Sequence, residues 1–471
     1  MQDGQGRTTN AGPDSDVGAR VRSGGVNATS VESTRVTRRA STQPWSMIHD
    51  PPLLPPFTLI TNSASGLPYH EWQQGRAVVR GRAMGFATKP GLFSHGHDDP
   101  AAVMLSEAVA DVLTRAPETV RVALCLNAGN GLVGLVAARA GASTVWMTDR
   151  QLLAHEACQR TIAMVSDAYP LEDISRRVHC VLGQGTFGIP AGVTADVVTI
   201  RVVPERLVMQ QLLHDAARAL RPGGRCLLSG GSHEGVKSAV HAMESLFGAV
   251  RVDAQHSSHR LVSAVRPDTL PSSAAAIESP FGDPDHFHLV PVALQGFQFT
   301  LYSRPGVFSW EHLDEASEVL AGLIDVQPGE RVLDIGCGAG ALGTVAALQS
   351  RTGAVYLVDA DSEAVRCATR TLEAAHVPHA QALVSDVASA VSDQTFDVVV
   401  ANPPFHVGKH TDLDVPRQFI REARERLRPG GRLLLVANRT LPYEGAVQAE
   451  FGMVRTLHNG QRFKVLGATC P

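Results

Sequence analysis

Residues 332–343 read Val-Leu-Asp-Ile-Gly-Cys-Gly-Ala-Gly-Ala-Leu-Gly, and this stretch decides the fold. The apolar run that ends in Asp334 predicts a buried strand, and Gly336, Gly338 and Gly340 predict a tight turn into a helix. Glycine is needed where a backbone turns sharply and passes close to a ligand, because a Cβ atom would block the approach. The free N–H groups at the start of the helix lie at the same place. The stretch therefore predicts a ligand site at the end of a strand in an α/β sheet.

The glycine turn alone does not identify the ligand. Residues 338–343 also fit the dinucleotide pattern G-x-G-x-x-G, and Asp359 follows at about the required distance. A turn without any ligand is a further interpretation, because short glycine motifs are often coincidental. The decision comes from a second motif farther along the chain.

Composition indicates a cytoplasmic globular protein of two or three domains. The 471 residues are 44% hydrophobic and 19% charged, and the formal net charge is −4. That charge gives no overall basic field, so a nucleic acid would have to bind a local patch. The seven cysteines include no C-x-x-C pair, which predicts buried thiols in a reducing compartment and no metal site. No apolar run reaches the length of a membrane span.

The first 46 residues differ from the rest of the chain. They are rich in Ser, Thr, Gly, Val and Arg and show neither helical nor strand periodicity. Such a composition buries too little apolar surface to order itself, so we predict a disordered tail over residues 1–46. The alternatives are that translation starts at Met47, that the arginines contact RNA, or that the segment is a targeting peptide.

From residue 51 onward the chain is predicted to contain one domain twice. Lys-Pro-Gly-Leu-Phe-Ser at Lys89 matches Arg-Pro-Gly-Val-Phe-Ser at Arg304, and later landmarks recur in the same order. Each half alternates strands and helices, which predicts two tandem duplicated Rossmann-like α/β domains with mostly parallel sheets. We predict domains over residues 51–265 and 285–471 with a Pro-, Ser- and Ala-rich linker over residues 266–284. The two halves are expected to end differently, the second in an antiparallel hairpin at Asn459-Gly460.

The second motif is Asn402-Pro-Pro-Phe405, which follows the apolar run of residues 396–401. Ligands bind at the carboxyl ends of parallel strands, so this loop should lie beside the glycine turn. Pro403 and Pro404 stiffen the loop and leave its carbonyl groups free to accept hydrogen bonds, and Asn402 adds an amide oxygen. Phe405 offers a flat face for stacking. The loop therefore suits a planar group with an –NH2, held with its nitrogen aimed at an electrophilic carbon.

Together these residues resemble the class I S-adenosylmethionine-dependent methyltransferases that act on amino groups. More narrowly, four motifs resemble the bacterial ribosomal RNA guanine-N(2)-methyltransferases, both the C-type enzymes for small-subunit RNA and their G-type relatives for large-subunit RNA. They are Ser303-Arg-Pro-Gly-Val-Phe-Ser309, Asn402-Pro-Pro-Phe-His406-x-Gly408-x-x-Thr411, Val436-Ala-Asn438 with Leu441-Pro-Tyr443, and Arg462-Phe-Lys-Val465. The resemblance covers residues 296–468 closely and, through the duplication, about 51–265, because that family carries a degenerate first copy.

The resemblance implies roles for individual residues. Asp334, Gly336, Gly338 and Gly340 would hold the methionine end of S-adenosylmethionine. Asp359 would accept from the ribose hydroxyl groups, and Asp386 would meet the adenine amine. The catalytic loop would be Asn402, Pro403, Pro404 and Phe405, with ribosomal RNA, free or within an assembled ribosomal particle, as the partner of a monomeric enzyme.

The first half departs from this pattern. By sequence, Asn127 stands where the second half has Asp334, and Arg201-Val-Val-Pro204 replaces the Asn402 motif. Asp149 is retained as the counterpart of Asp359. The first half is therefore predicted to be non-catalytic, with a role in folding, in RNA binding or in both.

One helical face is a candidate RNA surface. Arg417, Arg421, Arg424 and Arg428 recur at helical spacing after the catalytic loop, with Glu422 and Glu425 between them. The alternative is a solvated face whose charges pair with one another.

The leading function is methylation of the 2-amino group of a guanosine in ribosomal RNA, most simply 16S rRNA. The same chemistry on another amine is the first alternative: a 23S rRNA guanine, an adenine of DNA or RNA, or a protein glutamine. A dinucleotide-dependent oxidoreductase would not use residues 402–405. A non-enzymatic RNA-binding scaffold would not need Asp334, Asp359 and Asn402 together.

Overall fold

Two β-sheets of seven strands, built by successive halves of the chain, dominate the part of the protein that the structure describes. The computed structural model describes residues 69–115, 121–169, 172–272, 279–404 and 414–471. The predicted tail and the end of the predicted catalytic motif, with Phe405, His406, Gly408, Lys409 and Thr411, lie outside these residues.

The first half begins with a two-stranded hairpin and continues into its sheet and helices. Its strands are β1 (Gln73–Val79), β2 (Arg82–Thr88), β3 (Val122–Leu126), β4 (Thr144–Asp149), β5 (Val178–Leu182), β6 (Ala195–Arg201), β7 (Leu220–Gly231), β8 (Val250–His256) and β9 (His259–Val265). Its helices are α1 (Pro100–Arg115), α2 (Leu132–Arg139), α3 (Leu152–Ala168), α4 (Ile174–Arg177), α5 (Arg206–Ala219) and α6 (Val236–Phe247).

The second half repeats this arrangement. Its strands are β10 (His288–Leu294), β11 (Phe297–Ser303), β12 (Val332–Ile335), β13 (Val355–Asp359), β14 (Ala380–Val384), β15 (Phe396–Ala401), β16 (Leu427–Asn438), β17 (Arg455–Asn459) and β18 (Phe463–Thr469). Its helices are α7 (Glu315–Ala321), α8 (Ala341–Ser350), α9 (Ser362–Ala374), α10 (Asp414–Arg426) and α11 (Tyr443–Phe451).

The strand orders of the two sheets are the same. The first runs β5-β4-β3-β6-β7-β9-β8 and the second β14-β13-β12-β15-β16-β18-β17, and in each sheet the last two strand pairings are antiparallel while the others are parallel. The predicted duplicated Rossmann-like fold is confirmed. The central strand β15 is buried along its whole length, as a parallel strand covered by helices on both faces must be.

The expectation that the halves end differently is wrong. Strands β8 and β9 form a hairpin in the first half that matches β17 and β18 in the second. Its turn is made by Ser257 and Ser258, with Ser257 in the left-handed region at φ 52°, and it lacks the Asn-Gly pair. The turn therefore forms without the Asn-Gly pair that would have predicted it.

The end of the predicted linker is packed rather than loose. Arg304 is 2% exposed and donates to the carbonyl oxygens of Phe281, Asp283, Pro284 and His286 at 2.5–2.9 Å. These bonds fold residues 281–286 around one guanidinium group. The linker residues that the structure describes after residue 278 therefore belong to the second half.

The two halves meet through an approximate two-fold relation. The Leu152 N–H donates to the Ala360 carbonyl at 2.8 Å, and the Ser362 N–H donates to the Arg150 carbonyl at 2.9 Å. These residues follow β4 and β13, which occupy the same position in the two sheets. The contact is thus reciprocal, as at the isologous interface of a symmetric dimer.

Candidate active site

The glycine turn between β12 and α8 is built as predicted. Gly336, Gly338 and Gly340 have φ values of 76°, 54° and 90°, which residues with a side chain rarely adopt. A Cβ atom on Gly336 would meet the Phe419 ring at 3.0 Å, and one on Gly340 would meet Leu357 at 3.1 Å. Around Gly338 there is open space. The turn is therefore packed on its inner side and open at its middle glycine.

Asp334 is buried completely beneath this turn. Its Oδ2 accepts a 2.8 Å hydrogen bond from the Gly343 N–H, while Oδ1 has no hydrogen-bond partner among the described residues. Burial raises the pKa of Asp334 to about 7, and the nearby charge of Asp359 adds to the shift. A buried acceptor that lacks a donor is expensive, which indicates that a ligand or a water molecule completes the site.

Asp359 lies at the end of β13 and holds the turn from the other side. Its two oxygens accept from the N–H groups of Gly338 and Asp361, each at 2.9 Å. The residue is half-buried, and burial raises its pKa to about 6. Each oxygen keeps a further lone pair, so the carboxylate can accept from two hydroxyl groups of a ligand.

Asp386 is engaged by the first half of the chain. The Tyr69 hydroxyl donates to Oδ1 at 2.9 Å, the Lys89 ammonium bonds Oδ2, and His70 Nδ1 lies 3.3 Å from Oδ2. Burial acts to raise the pKa of Asp386, but hydrogen bonds from His70 and Lys89 hold it below its usual value. The predicted contact with an adenine amine stays a prediction, and it competes with three protein groups for the same carboxylate.

The structure brings Asn402 to the glycine turn. Strands β12 and β15 pair in parallel, and a Cβ atom on Gly336 would lie 4.0 Å from the backbone carbonyl oxygen of Asn402. Pro403 is buried and Pro404 is exposed, so the loop leaves the sheet edge at this point. The role of Phe405 stays a prediction, because that residue lies outside those described.

Two residues that the sequence reasoning missed hold the Asn402 side chain. Its Nδ2 donates to Asp314 Oδ2 at 3.1 Å and to Ser317 Oγ at 3.0 Å. Asp314 is the N-cap of α7, where its Oδ2 also accepts from the Ser317 N–H at 2.8 Å. In the sequence, Asp314 and Ser317 look like an ordinary helix start, so nothing there pointed to the contact.

The first half differs from the second in its glycine turn, but not as the sequence suggested. The shared turn aligns Gly129 and Gly338, whose N–H groups donate to Asp149 and Asp359 at 3.0 and 2.9 Å. That alignment places Cys125 opposite Asp334, so the pairing of Asn127 with Asp334 is wrong. Asn127 stands where the second half has Gly336, and both are left-handed, at φ 56° and 76°. Asparagine tolerates that conformation, which explains the substitution.

The position of Asn402 is filled by an ion-paired arginine in the first half. Arg201 is the last residue of β6 and pairs with Asp99 at 3.2 Å and with Glu234 at 2.7 Å. Its guanidinium carbon lies 4.8 Å from the centre of the Phe93 ring, and its side chain is 12% exposed. A guanidinium group donates hydrogen bonds and accepts none, so this position cannot bind an amine.

The predicted arginine face is largely neutralised by neighbouring acids. Arg417 lies 3.4 Å from Asp414, and Arg421 lies 3.6 Å from Glu450. Helix α10 ends at Arg426, so Arg428 belongs to β16 and not to the predicted helical face. The alternative of a salt-bridged solvated face describes this surface better.

The described residues contain neither a metal site nor a membrane span. All seven cysteines are free thiols. Within the ranges given above, no group of three or more His, Cys, Asp or Glu is placed to hold a metal ion. In that same part of the chain, no helix is long and apolar enough to cross a membrane.

The duplicated sheet, the acid beneath the glycine turn and Asn402 at the neighbouring strand end define a class I S-adenosylmethionine-dependent methyltransferase. A family model described as "Methyltransferase small domain" matches residues 298–467. The ribosomal RNA small subunit methyltransferase C of Hahella chejuensis is 34% identical over 281 residues, which is 59% of this chain and 79% of that protein. The chain belongs to the ribosomal RNA small subunit methyltransferase C family.

Two further comparisons agree with that assignment. The protein of the same name from Chromohalobacter salexigens is 43% identical over 173 residues, or 36% of this chain and 51% of that one. A solved structure, the T. thermophilus 16S rRNA N2 G1207 methyltransferase (RsmC) in complex with AdoMet and guanosine, covers 86% of this chain and 99% of its own. Its TM-score is 0.68 at 29% identity, so the likeness extends across both halves.

Proposed function

We propose that this protein transfers a methyl group from S-adenosylmethionine to the exocyclic 2-amino group of a guanosine in 16S ribosomal RNA. The observation that carries the proposal is the Asn402 side chain, whose –NH2 group is committed to Asp314 and Ser317. Its amide oxygen Oδ1 is left as an acceptor, and the backbone carbonyl of the same residue lies near the glycine turn. An acceptor there suits an amine, which donates hydrogen bonds.

The relatives support this choice of substrate. The T. thermophilus structure contains AdoMet and guanosine and is described as an N2 G1207 methyltransferase of 16S rRNA. Family members of 34% and 43% identity carry the name of a small-subunit ribosomal RNA methyltransferase. We propose in addition that the enzyme is monomeric and cytoplasmic. Its substrate is the rRNA, either free or within a ribosomal particle.

The residues present fit S-adenosylmethionine. The unpartnered buried Oδ1 of Asp334 suits a positively charged amine, and the open space around Gly338 admits a ligand close to the backbone. Asp359, with one free lone pair on each oxygen, suits a ribose diol. We therefore propose that Asp334, Gly336, Gly338, Gly340 and Asp359 hold the cofactor. When bound, S-adenosylmethionine supplies a methyl group activated by a sulfonium charge.

The role of the catalytic loop is to orient the target nitrogen. Asn402 Oδ1 and the Pro403 carbonyl accept the two amine hydrogens, which aims the nitrogen lone pair at the methyl carbon. Pro403 and Pro404 hold the loop rigid, and Phe405 is proposed to stack on the base. Attack on a charged sulfonium needs no general base, and the surplus proton leaves the nitrogen for water afterwards. A base inside a helix must leave its stack to reach the loop.

Two substitutions of Asn402 test this function. We expect Asn402→Ala to lower the methylation rate by roughly 10²-fold or more, as when one transition-state partner is lost, with cofactor affinity nearly unchanged. Asn402→Asp keeps an acceptor and should retain partial activity. The assay uses labelled cofactor with naked 16S rRNA and with small ribosomal subunits, followed by mapping of methylated guanosines. Equal, near-wild-type rates in both variants would show that the loop merely shapes the pocket.

A further inference from the structure

The contacts of Asn402 determine which way its amide group faces. Nδ2 lies 3.1 Å from Asp314 Oδ2 and 3.0 Å from Ser317 Oγ. An ionised carboxylate has no hydrogen to donate, so only the –NH2 end of the amide can face Asp314. The reversed amide would place its carbonyl oxygen against a carboxylate oxygen, where the two acceptors repel. The contact with Asp314 therefore fixes the orientation of the Asn402 amide group.

Asp314 is itself held in place by the backbone. Its Oδ2 accepts from the Ser317 N–H at 2.8 Å as the N-cap of α7. The same oxygen therefore serves the helix and the Asn402 side chain. Ser317 lies in the first turn of that helix, so both acceptors sit on one rigid element facing the end of β15.

The first half retains one part of this arrangement and lacks the other. Asp99 caps the corresponding helix α1, accepting from the N–H groups of Ala101 and Ala102 at 3.1 and 3.3 Å. Ala102, however, stands at the position of Ser317, and the group facing Asp99 is the Arg201 guanidinium. The capping acid therefore serves the fold in both halves, whereas the serine hydroxyl accompanies the asparagine only in the second.

We propose that Asp314 and Ser317 are positioning residues that make Asn402 an acceptor only, and so select an amine over a carbonyl at the methylated position. The proposal rests on the function proposed above. A guanine 2-amino group donates to Asn402 Oδ1, whereas a carbonyl at the same position would face another acceptor. Releasing the amide would let it rotate and donate, which would weaken that discrimination.

The test compares variants that keep or remove each acceptor. Asp314→Asn retains an oxygen of the same reach and a helix cap, whereas Asp314→Ser retains a cap but is too short to reach Asn402. Ser317→Thr keeps the hydroxyl group and Ser317→Ala removes it. Asp99→Ser is the matched control, because it alters the corresponding helix cap in the first half, where Asp99 faces Arg201 instead of Asn402.

Three quantities are measured for each variant at one pH. They are the single-turnover methylation rate, the dissociation constant of S-adenosylmethionine, and the ratio of the inhibition constants of xanthosine and guanosine. Xanthosine carries a carbonyl group where guanosine carries the 2-amino group. We expect Asp314→Ser and Ser317→Ala to slow methylation by roughly 10-fold or more, the scale of one lost hydrogen bond to a charged or well-placed group.

The same two variants should bind the cofactor as the wild type does, and xanthosine should inhibit them relatively better. Asp314→Asn and Ser317→Thr should restore the rate and the selectivity, and Asp99→Ser should change neither. The positioning roles would be overturned if Ser317→Ala and Asp314→Ser kept the wild-type rate and inhibition ratio while Asn402→Ala was inactive. That result would leave the proposed function unchanged. A fully active Asn402→Ala would instead overturn the function. If Asp314→Ser does not fold, the comparison of Ser317→Ala with Ser317→Thr decides.

Discussion

At the scale of single residues, Asp334 is a carboxyl group held in an apolar interior by one backbone hydrogen bond. Burial raises its pKa from 3.8 to about 7, so the native protein keeps a proton there that the unfolded chain loses at lower pH. Stability from this group is fully present below about pH 3.8 and falls as the pH rises through about 7. Each unit of difference corresponds to about 1.4 kcal/mol.

Asp334→Asn should flatten the dependence of stability on pH. The amide keeps an acceptor for the Gly343 N–H but does not titrate. Thermal melting without cofactor between pH 5 and pH 8 should therefore show a smaller fall in Tm for the variant than for the wild type. Asp393→Asn, at an exposed carboxylate, serves as the control. Parallel curves for Asp334→Asn and the wild type would contradict the assigned pKa.

Sequence reasoning placed correctly in the fold those residues whose types are restricted by backbone geometry. The glycines, Asp334, Asp359 and Asn402 lie where the pattern predicted, because sharp turns and strand-end acceptors restrict the choice of residue. It could not find Asp314 and Ser317, which reach Asn402 across 88 and 85 residues. It also paired Asn127 with Asp334, although the shared glycine spacing of residues 129–134 and 338–343 places Asn127 opposite Gly336.

At the scale of elements, the end of β6 meets the start of α1 and the turn after β7 at the Arg201 ion pairs. The corresponding point in the second half is the start of the loop at Asn402. The mostly parallel sheets and the hairpin of β17 and β18 were predicted from the sequence. The end of α10 was not, because arginine is tolerated in helix and strand alike, and neither was the hairpin of β8 and β9, because Ser257-Ser258 is a weak turn cue.

Arg201→Ala should destabilise the fold without abolishing methylation. Removing one partner of a buried ion pair leaves Asp99 and Glu234 uncompensated, at a cost of about 3–5 kcal/mol. We expect a lower denaturation midpoint in urea and, at a temperature where the variant is folded, an unchanged methylation rate. Arg221→Ala is the control, because that arginine is 54% exposed in its pair with Asp196. A loss of activity in folded Arg201→Ala would instead assign the first half a part in catalysis.

At the scale of the whole molecule, two similar domains have unequal sites. Asp149 and Asp359 make the same contacts with their glycine turns. Only the second half, however, combines its acid with Asp334 and with a glycine, Gly336, where the first half has Asn127. In the first half the Asn127 side chain reaches the Arg201 carbonyl at 3.1 Å across that position.

Calorimetry with S-adenosylmethionine should therefore give one site per chain. Asp359→Ala is expected to weaken binding, since it removes the proposed partner of the ribose hydroxyl groups. Asp149→Ala, its matched counterpart, should leave the affinity unchanged. Two sites of similar affinity, or equal effects of the two substitutions, would refute the unequal roles of the halves.

Two buried acids of the second half pair with cationic residues of the first half. The side chains of Asp386 and Glu422 are 8% and 7% exposed, and their cationic partners, Lys89 and His70, come from the other half. Hydrogen bonds from His70 to Asp386 and Glu422 raise its pKa to about 9, so this pairing persists to mildly alkaline pH and weakens above it. A fragment of residues 279–471 would lack Lys89 and His70, the cationic partners of Asp386 and Glu422. We therefore expect the second half to fold poorly when it is expressed without the first.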